Sequence, residues 1–202
     1  MLADPLVPLT LDISGDPEAP VPQSLAGDRC RCCGIFTAKL WNGARSGHPE
    51  AHQVCTLCYL IGHLDSPTAA HGRLAYLPGF SVINAQHLQR RVLLAVLAGD
   101  RAQQREGQRL MRWLQFHARE VERAWGTARA CEFADAFKRL APRKRQTLQN
   151  RLAGCVLLLP ADVFDDLSLL LPANKTPASM LTPHSWGTYT RSDLYAEASP
   201  LG

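Results

Sequence analysis

Cys30-Arg31-Cys32-Cys33-Gly34 and Cys55-Thr56-Leu57-Cys58 decide how this chain reads. Two C-x-x-C pairs about twenty residues apart are a spacing that tetrahedral zinc favours, since each pair presents two thiolates at roughly 2.3 Å from one ion. Gly34 fits the same reading. The residue after the second cysteine of a zinc knuckle bends its backbone N–H groups toward the sulfurs, and glycine takes positive φ without steric cost. An apolar run, Leu57, Tyr59, Leu60, Ile61 and Leu64, follows the second pair. Cys55 and Cys58 are therefore expected in the first turn of a helix, whose N-terminal dipole favours thiolate. A knuckle, then a loop or hairpin, then a helix start is the treble-clef arrangement.

The competing readings are two disulfides or four unrelated buried thiols. Met1 to Pro22 carries Asp4, Asp12, Asp16 and Glu18 and has no basic start followed by an apolar core, so nothing there looks like a signal peptide. A reducing compartment is expected, in which disulfides are uncommon. The metal ligands predicted are Cys30, Cys33, Cys55 and Cys58, holding a structural zinc. Cys32 lies between the first two and stays open as a competitor or a spare thiol, while Cys131 and Cys155 read as small core residues.

Composition sets wider bounds. A chain of 202 residues with 46% hydrophobic content allows one substantial domain, or a small zinc module on a helical body. No apolar run reaches membrane-spanning length, so membrane insertion is not expected. The net charge of +4 does not by itself call for nucleic acid, but it is unevenly spread. Acids gather before residue 30 and between Asp162 and Asp166. Lys138, Arg139, Arg143, Lys144, Arg145 and Arg151 have no acid among them, which reads as a solvated helix face, then as a patch for an acidic protein, then as one for phosphate.

Outward from the cysteines, residues 1–28 are proline-rich and acidic. They read as an arm in which Leu6, Val7, Leu9, Leu11 and Ile13 form a short strand or an extended segment laid on the body. Residues 29–171 read as one domain. Asp65 to Gly72 is a turn-rich break and Arg73 to Leu77 a short strand stopped by Pro78 and Gly79. A helix starts near an Asn84 cap, with Leu88, Val92, Ala95 and Val96 inward and Gln89, Arg90 and Arg91 on the other side, and ends at Gly99. One helix is predicted over 101–125 on a stripe of Leu110, Leu114, His117, Val121 and Trp125, widened by Trp113 and Phe116 and read as core. Gly126 breaks it. A shorter helix carries Phe133, Ala134, Phe137 and Leu140, and Pro142 either ends it or opens the next. Residues 143–159 read as a helix, 162–171 as a short acidic one, and 172–202 as a tail, mobile unless a partner orders it, whose Trp186, Tyr189 and Tyr195 hint at docking. The fold class expected is α+β, mostly helical, with a treble-clef, HNH-like zinc module on a helical body.

Catalytic motifs are sparse. The four-cysteine frame invites comparison with HNH or ββα-metal nucleases, which need a histidine base, an asparagine that holds it and a further ligand for a catalytic metal. His48, His52, His63 and His71 are nearby, but His48 precedes Pro49 and Asn42 lies before both His48 and His52. No phosphate-binding, nucleotide-binding, nucleophile-elbow or H-E-x-x-H motif is present. A zinc with four thiolate ligands has no open position, so a non-enzyme is expected.

The order C-x-x-C-G, C-x-x-C, Gly72-Arg73-Leu74-Ala75-Tyr76-Leu77-Pro78 leading into Asn84-Ala85-Gln86-His87-Leu88, and the later Leu157-Leu158-Leu159-Pro160, resembles the IcmJ/DotN family of the Dot/Icm type IVB secretion system. The resemblance covers about residues 29 to 164 and implies an HNH-like zinc fold turned assembly part. It implies binding to a C-terminal segment of the coupling ATPase DotL, beside DotM-like and IcmS/IcmW-like subunits, in the cytoplasm and peripheral to the inner membrane. A conjugation system of the same type fits equally well. Cys30, Cys33, Cys55 and Cys58 match the family's zinc ligands. The alternative is a metal-dependent nuclease or a nucleic-acid-binding zinc protein.

Overall fold

The computed structural model describes residues 6–14 and 28–182. Within them the chain is α+β, with eight α-helices and two antiparallel sheets of two strands each. The first sheet belongs to the cysteine region. Residues 29–36 form a tight turn, closed by Cys30 N donating to Ile35 O (2.8 Å) and Gly34 N to Cys30 O (2.9 Å). Gly34 sits at φ 76°, the left-handed conformation that its place in the knuckle predicts. Strands β1 (Leu40–Asn42) and β2 (Gln53–Cys55) pair with Leu40 opposite Cys55, and β2 runs directly into helix α1 (Thr56–Gly62). Cys55 is the N-cap of α1 and every residue of that helix is buried, as a helix at the centre of a core must be.

The arm lies on the body as an extended segment. Leu9, Leu11 and Ile13 are buried, and Val7 N bonds to Arg31 O, Asp12 N to Ile61 O and Leu64 N to Asp12 O. These bonds satisfy a backbone that would otherwise be orphaned between the arm and the end of α1. Short helix α2 (Pro67–Ala70), capped by Ser66, occupies the break after α1.

The second sheet reaches across the chain. Strand β3 (Arg73–Tyr76) pairs with β4 (Cys155–Leu158), Arg73 opposite Leu158 and Tyr76 opposite Cys155. This corrects the helix expected over 143–159. Helix α7 (Pro142–Arg151) starts with Pro142 in its first turn, but it ends at Leu152, and Gly154 at φ 81° turns the chain into a strand. Val156, Leu157 and Leu158 suit both periodicities, and burial on both sides leaves no polar alternation to separate them.

Helix α3 (Val82–Ala98) is capped by Ser81, not Asn84, since the Ser81 hydroxyl accepts from Asn84 N at 3.1 Å. Helices α4 (Arg101–Phe116) and α5 (Ala118–Trp125) replace the single helix expected over 101–125, with a break at His117. Leu114 and Val121 are buried as the stripe requires, but Trp113 and Phe116 lie outside it, 42% and 54% exposed. Gly107 lets α3 and α4 approach closely, because a β-carbon there would meet Ala95 Cβ at 3.0 Å and Val96 Cγ2 at 3.1 Å.

Helix α6 (Ala130–Arg139) buries Phe133, Ala134 and Phe137, and Cys131 on it is half-buried, not core. The acidic helix expected over 162–171 is two 3-10 turns, Ala161–Val163 and Leu167–Leu169. Within the predicted tail, Ala173 N bonds to Phe36 O (2.8 Å), and α8 (Pro177–Met180) packs on α3 with Met180 and Leu181 buried. Trp186, Tyr189 and Tyr195 lie outside the described residues.

Candidate metal centre

Four sulfurs converge where the knuckle meets the start of α1. The Sγ atoms of Cys30, Cys33, Cys55 and Cys58 all lie within 4.8 Å of one another and could hold a metal ion. Each pair reaches the site from a different element. The knuckle turn projects Cys30 and Cys33, with Cys33 N pointing at Cys30 Sγ (3.4 Å). The end of β2 and the first turn of α1 project Cys55 and Cys58. Cys33 Sγ and Cys55 Sγ are 3.6 Å apart, close to the roughly 3.8 Å edge of a tetrahedron with metal–sulfur legs of about 2.3 Å. All four cysteines are at most 2% exposed. A donor set of four soft sulfurs in a closed, buried shell suits zinc.

As thiols these groups would share protons unevenly. Hydrogen bonds from the Cys30, Cys33 and Cys58 sulfurs hold Cys55 well below the usual thiol range, and the Arg90 charge adds to this. Burial pushes Cys33 up, and hydrogen bonds with Cys30 and its other neighbours push Cys58 up. A divalent ion removes the inequality, because coordination deprotonates a thiol outright.

Arg90 is the residue that sequence reading missed. It was expected on a polar helix face with Gln89 and Arg91, yet Arg90 is 1% and Gln89 0% exposed. Arg90 Nη2 donates to Cys55 Sγ at 3.0 Å, and its Nη1 lies 3.3 Å from His87 Nδ1. A guanidinium so placed offsets part of the negative charge that four thiolates would carry, in surroundings too dry for water to do so. Gln89 does different work. Its amide donates to Leu157 O (3.0 Å) and accepts from Leu159 N (2.6 Å), closing the open edge of β4 as a neighbouring strand would. Arg91 Nη1 bonds to Met180 O (3.1 Å). No periodicity distinguishes these inward polar groups from a solvated face. The signal present was their place, directly among buried leucines.

Cys32 stands outside the four-sulfur group. It is fully buried, and its thiol is pushed up to about 12, chiefly by burial. Cys155 is buried and also pushed up by burial, to about 11.

A second polar cluster pins the arm to the metal module. Arg45, 5% exposed, donates to Pro8 O (2.5 Å) and Gly43 O (3.4 Å), and its Nε lies 3.9 Å from Asp12 Oδ2. Asp12, 1% exposed, accepts from Gly47 N (2.7 Å) and Ile13 N (2.9 Å), and burial raises its pKa above the usual carboxylate value despite these partners. The nearby histidines are engaged in the same fabric. His52 Nδ1 bonds to Glu50 O (2.8 Å) while its Nε2 lies 3.4 Å from Arg45 Nη1. His63 sets its two ring nitrogens 2.8 Å from Tyr59 O and Ala44 O, and burial lowers its pKa. His48 meets His52 edge-on at 5.0 Å, and His71 is exposed.

The basic stretch is partly engaged within the chain. Arg145 Nη1 donates to Ser46 Oγ (2.6 Å), Lys138 Nζ lies 3.9 Å from Asp65, and Arg151 stacks on Trp125 at 4.7 Å. Among the described residues, no helix is long and apolar enough to cross a membrane. Comparison of the sequence with known family models and with curated proteins gives no match in either case.

Proposed function

We propose that this protein is a non-catalytic, zinc-stabilised adaptor of a type IVB secretion or conjugation coupling complex, binding a segment of a DotL-type coupling ATPase. DotM-like and IcmS/IcmW-like subunits are the further partners of that reading, and the cytoplasmic side of the inner membrane is its location. The observation that carries the adaptor role is the buried group of four cysteine sulfurs. Four thiolates complete a tetrahedral zinc shell and leave the ion no position for substrate or water, so the metal organises the fold and does no chemistry. The knuckle, the β1–β2 hairpin and α1 are read here as a treble clef of HNH type. In that reading the histidines that a nuclease would use are turned to structure: His63 faces two backbone carbonyls and His52 lies between Glu50 O and Arg45.

The family assignment rests on the Cys30-to-Cys58 pattern together with the Tyr76-Leu77-Pro78 and Leu157-Leu158-Leu159-Pro160 segments. Those segments end the two strands β3 and β4, which pair antiparallel although they are distant in the chain, so the segments leave the ribbon at its opposite ends. Captured segments of this kind are commonly disordered until bound, so affinity comes from apolar burial offset by ordering. The test is co-expression with the cytoplasmic tail of a DotL-type coupling ATPase, with zinc measured in the purified complex. Stoichiometric zinc and a stable complex are expected. Cleavage of DNA in the presence of added divalent metal, lost in His48→Ala or His52→Ala, would instead establish the nuclease reading.

A further inference from the structure

Helices α4 and α5 present two unlike faces. Gly107, Leu114, Ala118 and Val121 are buried, while Arg105, Arg109, Arg112, Phe116, Arg119 and Arg123 recur at steps of four and three on the opposite side, all exposed. Six arginines stand against three glutamates between residues 101 and 123, and two of those glutamates are already engaged, Glu120 with His117 (3.7 Å) and Glu122 with Arg73 (3.0 Å). Among the described residues, no ion pair engages Arg105, Arg109, Arg112, Arg119 or Arg123. Unpaired like charges spaced three and four residues apart along α4, and again along α5, repel each other, a cost that a partner of opposite sign removes. Beside Arg112 a cavity of about 260 Å3 opens against Val96, Met111, Pro160 and Ala161. That is below the roughly 300–1,000 Å3 of small-molecule sites and suits a single inserted side chain.

We propose that this face docks an acidic amphipathic peptide segment, with carboxylates along the arginine row and one apolar side chain in the cavity. The proposal rests on the adaptor reading above and supplies the chemistry of the segment captured. Three features favour a peptide over single-stranded nucleic acid. The row repeats every seven residues, which matches an opposing helix. The aromatic faces on which bases would stack are partly covered, Phe116 by Arg119 at 5.3 Å and Trp113 edge-on by His117 at 4.9 Å. The cavity wall is mainly apolar.

The test uses the full zinc-loaded chain and a fluorescent three-heptad synthetic peptide with glutamates flanking a single central leucine. A lysine-for-glutamate version and an oligothymidylate serve as the other arms. The glutamate peptide binds, the lysine peptide does not, and the combined Arg105→Glu, Arg109→Glu, Arg112→Glu variant loses roughly tenfold or more in affinity. Ala161→Trp, which fills the cavity, weakens binding while the arginine row is intact. Unchanged zinc content and melting temperature show that the variants fold. The proposal is overturned if the glutamate peptide fails to bind, if charge reversal leaves its binding unchanged, or if oligothymidylate binds more tightly through the same arginines. Failure of the adaptor reading looks different: the ATPase tail fails to co-purify while the glutamate peptide still binds. A tail that co-purifies equally with the wild type and the charge-reversed variant rejects this face alone.

Discussion

Replacing Arg90 with methionine removes a buried positive charge hydrogen-bonded to the sulfur cluster and keeps most of the side chain's bulk. The Arg90 Nη2 to Cys55 Sγ bond, at 3.0 Å, is a bond to an ionised acceptor once metal is bound. Such bonds contribute about 1.5–3 kcal/mol, and breaking a buried charge pair by removing one partner costs about 3–5 kcal/mol. Arg90 is 1% exposed, so water cannot take its place, and about 3 kcal/mol is the expected loss. At 1.4 kcal/mol per factor of ten this is roughly a hundredfold in zinc affinity, within reach of the 10–100-fold typical of outer-shell partners. For a chain of this size it is also about 6–12 °C in melting temperature. Competition against a chromophoric chelator measures the first quantity and thermal unfolding followed by circular dichroism the second. Arg90→Lys, which keeps the charge but loses the fork, should fall between. An Arg90→Met protein with zinc affinity within about twofold of wild type and an unchanged melting temperature would refute the view that this guanidinium offsets the thiolate charge.

Other outcomes follow from the same contacts. Stripping the metal with a strong chelator should unfold residues 28–64 and free the arm, read as new protease cleavage near Asp12, because metal affinity and module folding are one free energy. Gln89→Leu leaves Leu157 O and Leu159 N without their partner. Urea unfolding should show a loss of about 2–4 kcal/mol, the cost of stranding two buried backbone groups. Gly154→Ala forces a β-carbon at φ 81° and 3.0 Å from the Tyr76 ring, and should cost about 1–2 kcal/mol in the same assay. Because the folded Asp12 carboxyl has a pKa raised above 3.8, the folded state binds its proton more tightly than the unfolded one. Its contribution to stability therefore grows as pH falls through the folded pKa toward 3.8 and declines as pH rises; the difference in urea midpoint between wild type and Asp12→Asn, followed from pH 7 to 4, should show that slope.

The convergence of the four cysteines and the local turns around them were the most legible parts of the sequence. Cysteine spacing fixes which sulfurs can meet, and Gly34 and the Cys55 helix start are local chemistry that neighbours do not override, whereas Pro142 read equally as a helix end or a helix start. Strand β4 was not legible, because a short run buried on both sides carries no alternation and its partner β3 lies far away in sequence. The inward turn of Gln89 and Arg90 was hidden for a different reason. Polar residues mark a solvated face only on average, and these two are held by partners far away in sequence that no pattern encodes, a strand edge and a sulfur. Trp113 and Phe116 misled in the opposite direction: they lie near the apolar stripe in sequence but beyond its edge in space, where α4 and α5 break at His117.

The pairing of β3 with β4 sets an order on how the nascent chain matures. The cysteine module is complete once residue 64 has left the ribosome, whereas β3 waits for a partner that begins at residue 155. At translation speeds of about 5–20 residues per second that wait lasts roughly 4–16 s, during which an apolar strand edge is open to neighbouring chains. A metal ion bound by the four cysteines would therefore act on the part of the chain made first, while the open edge of β3 is sealed only by the C-terminal third.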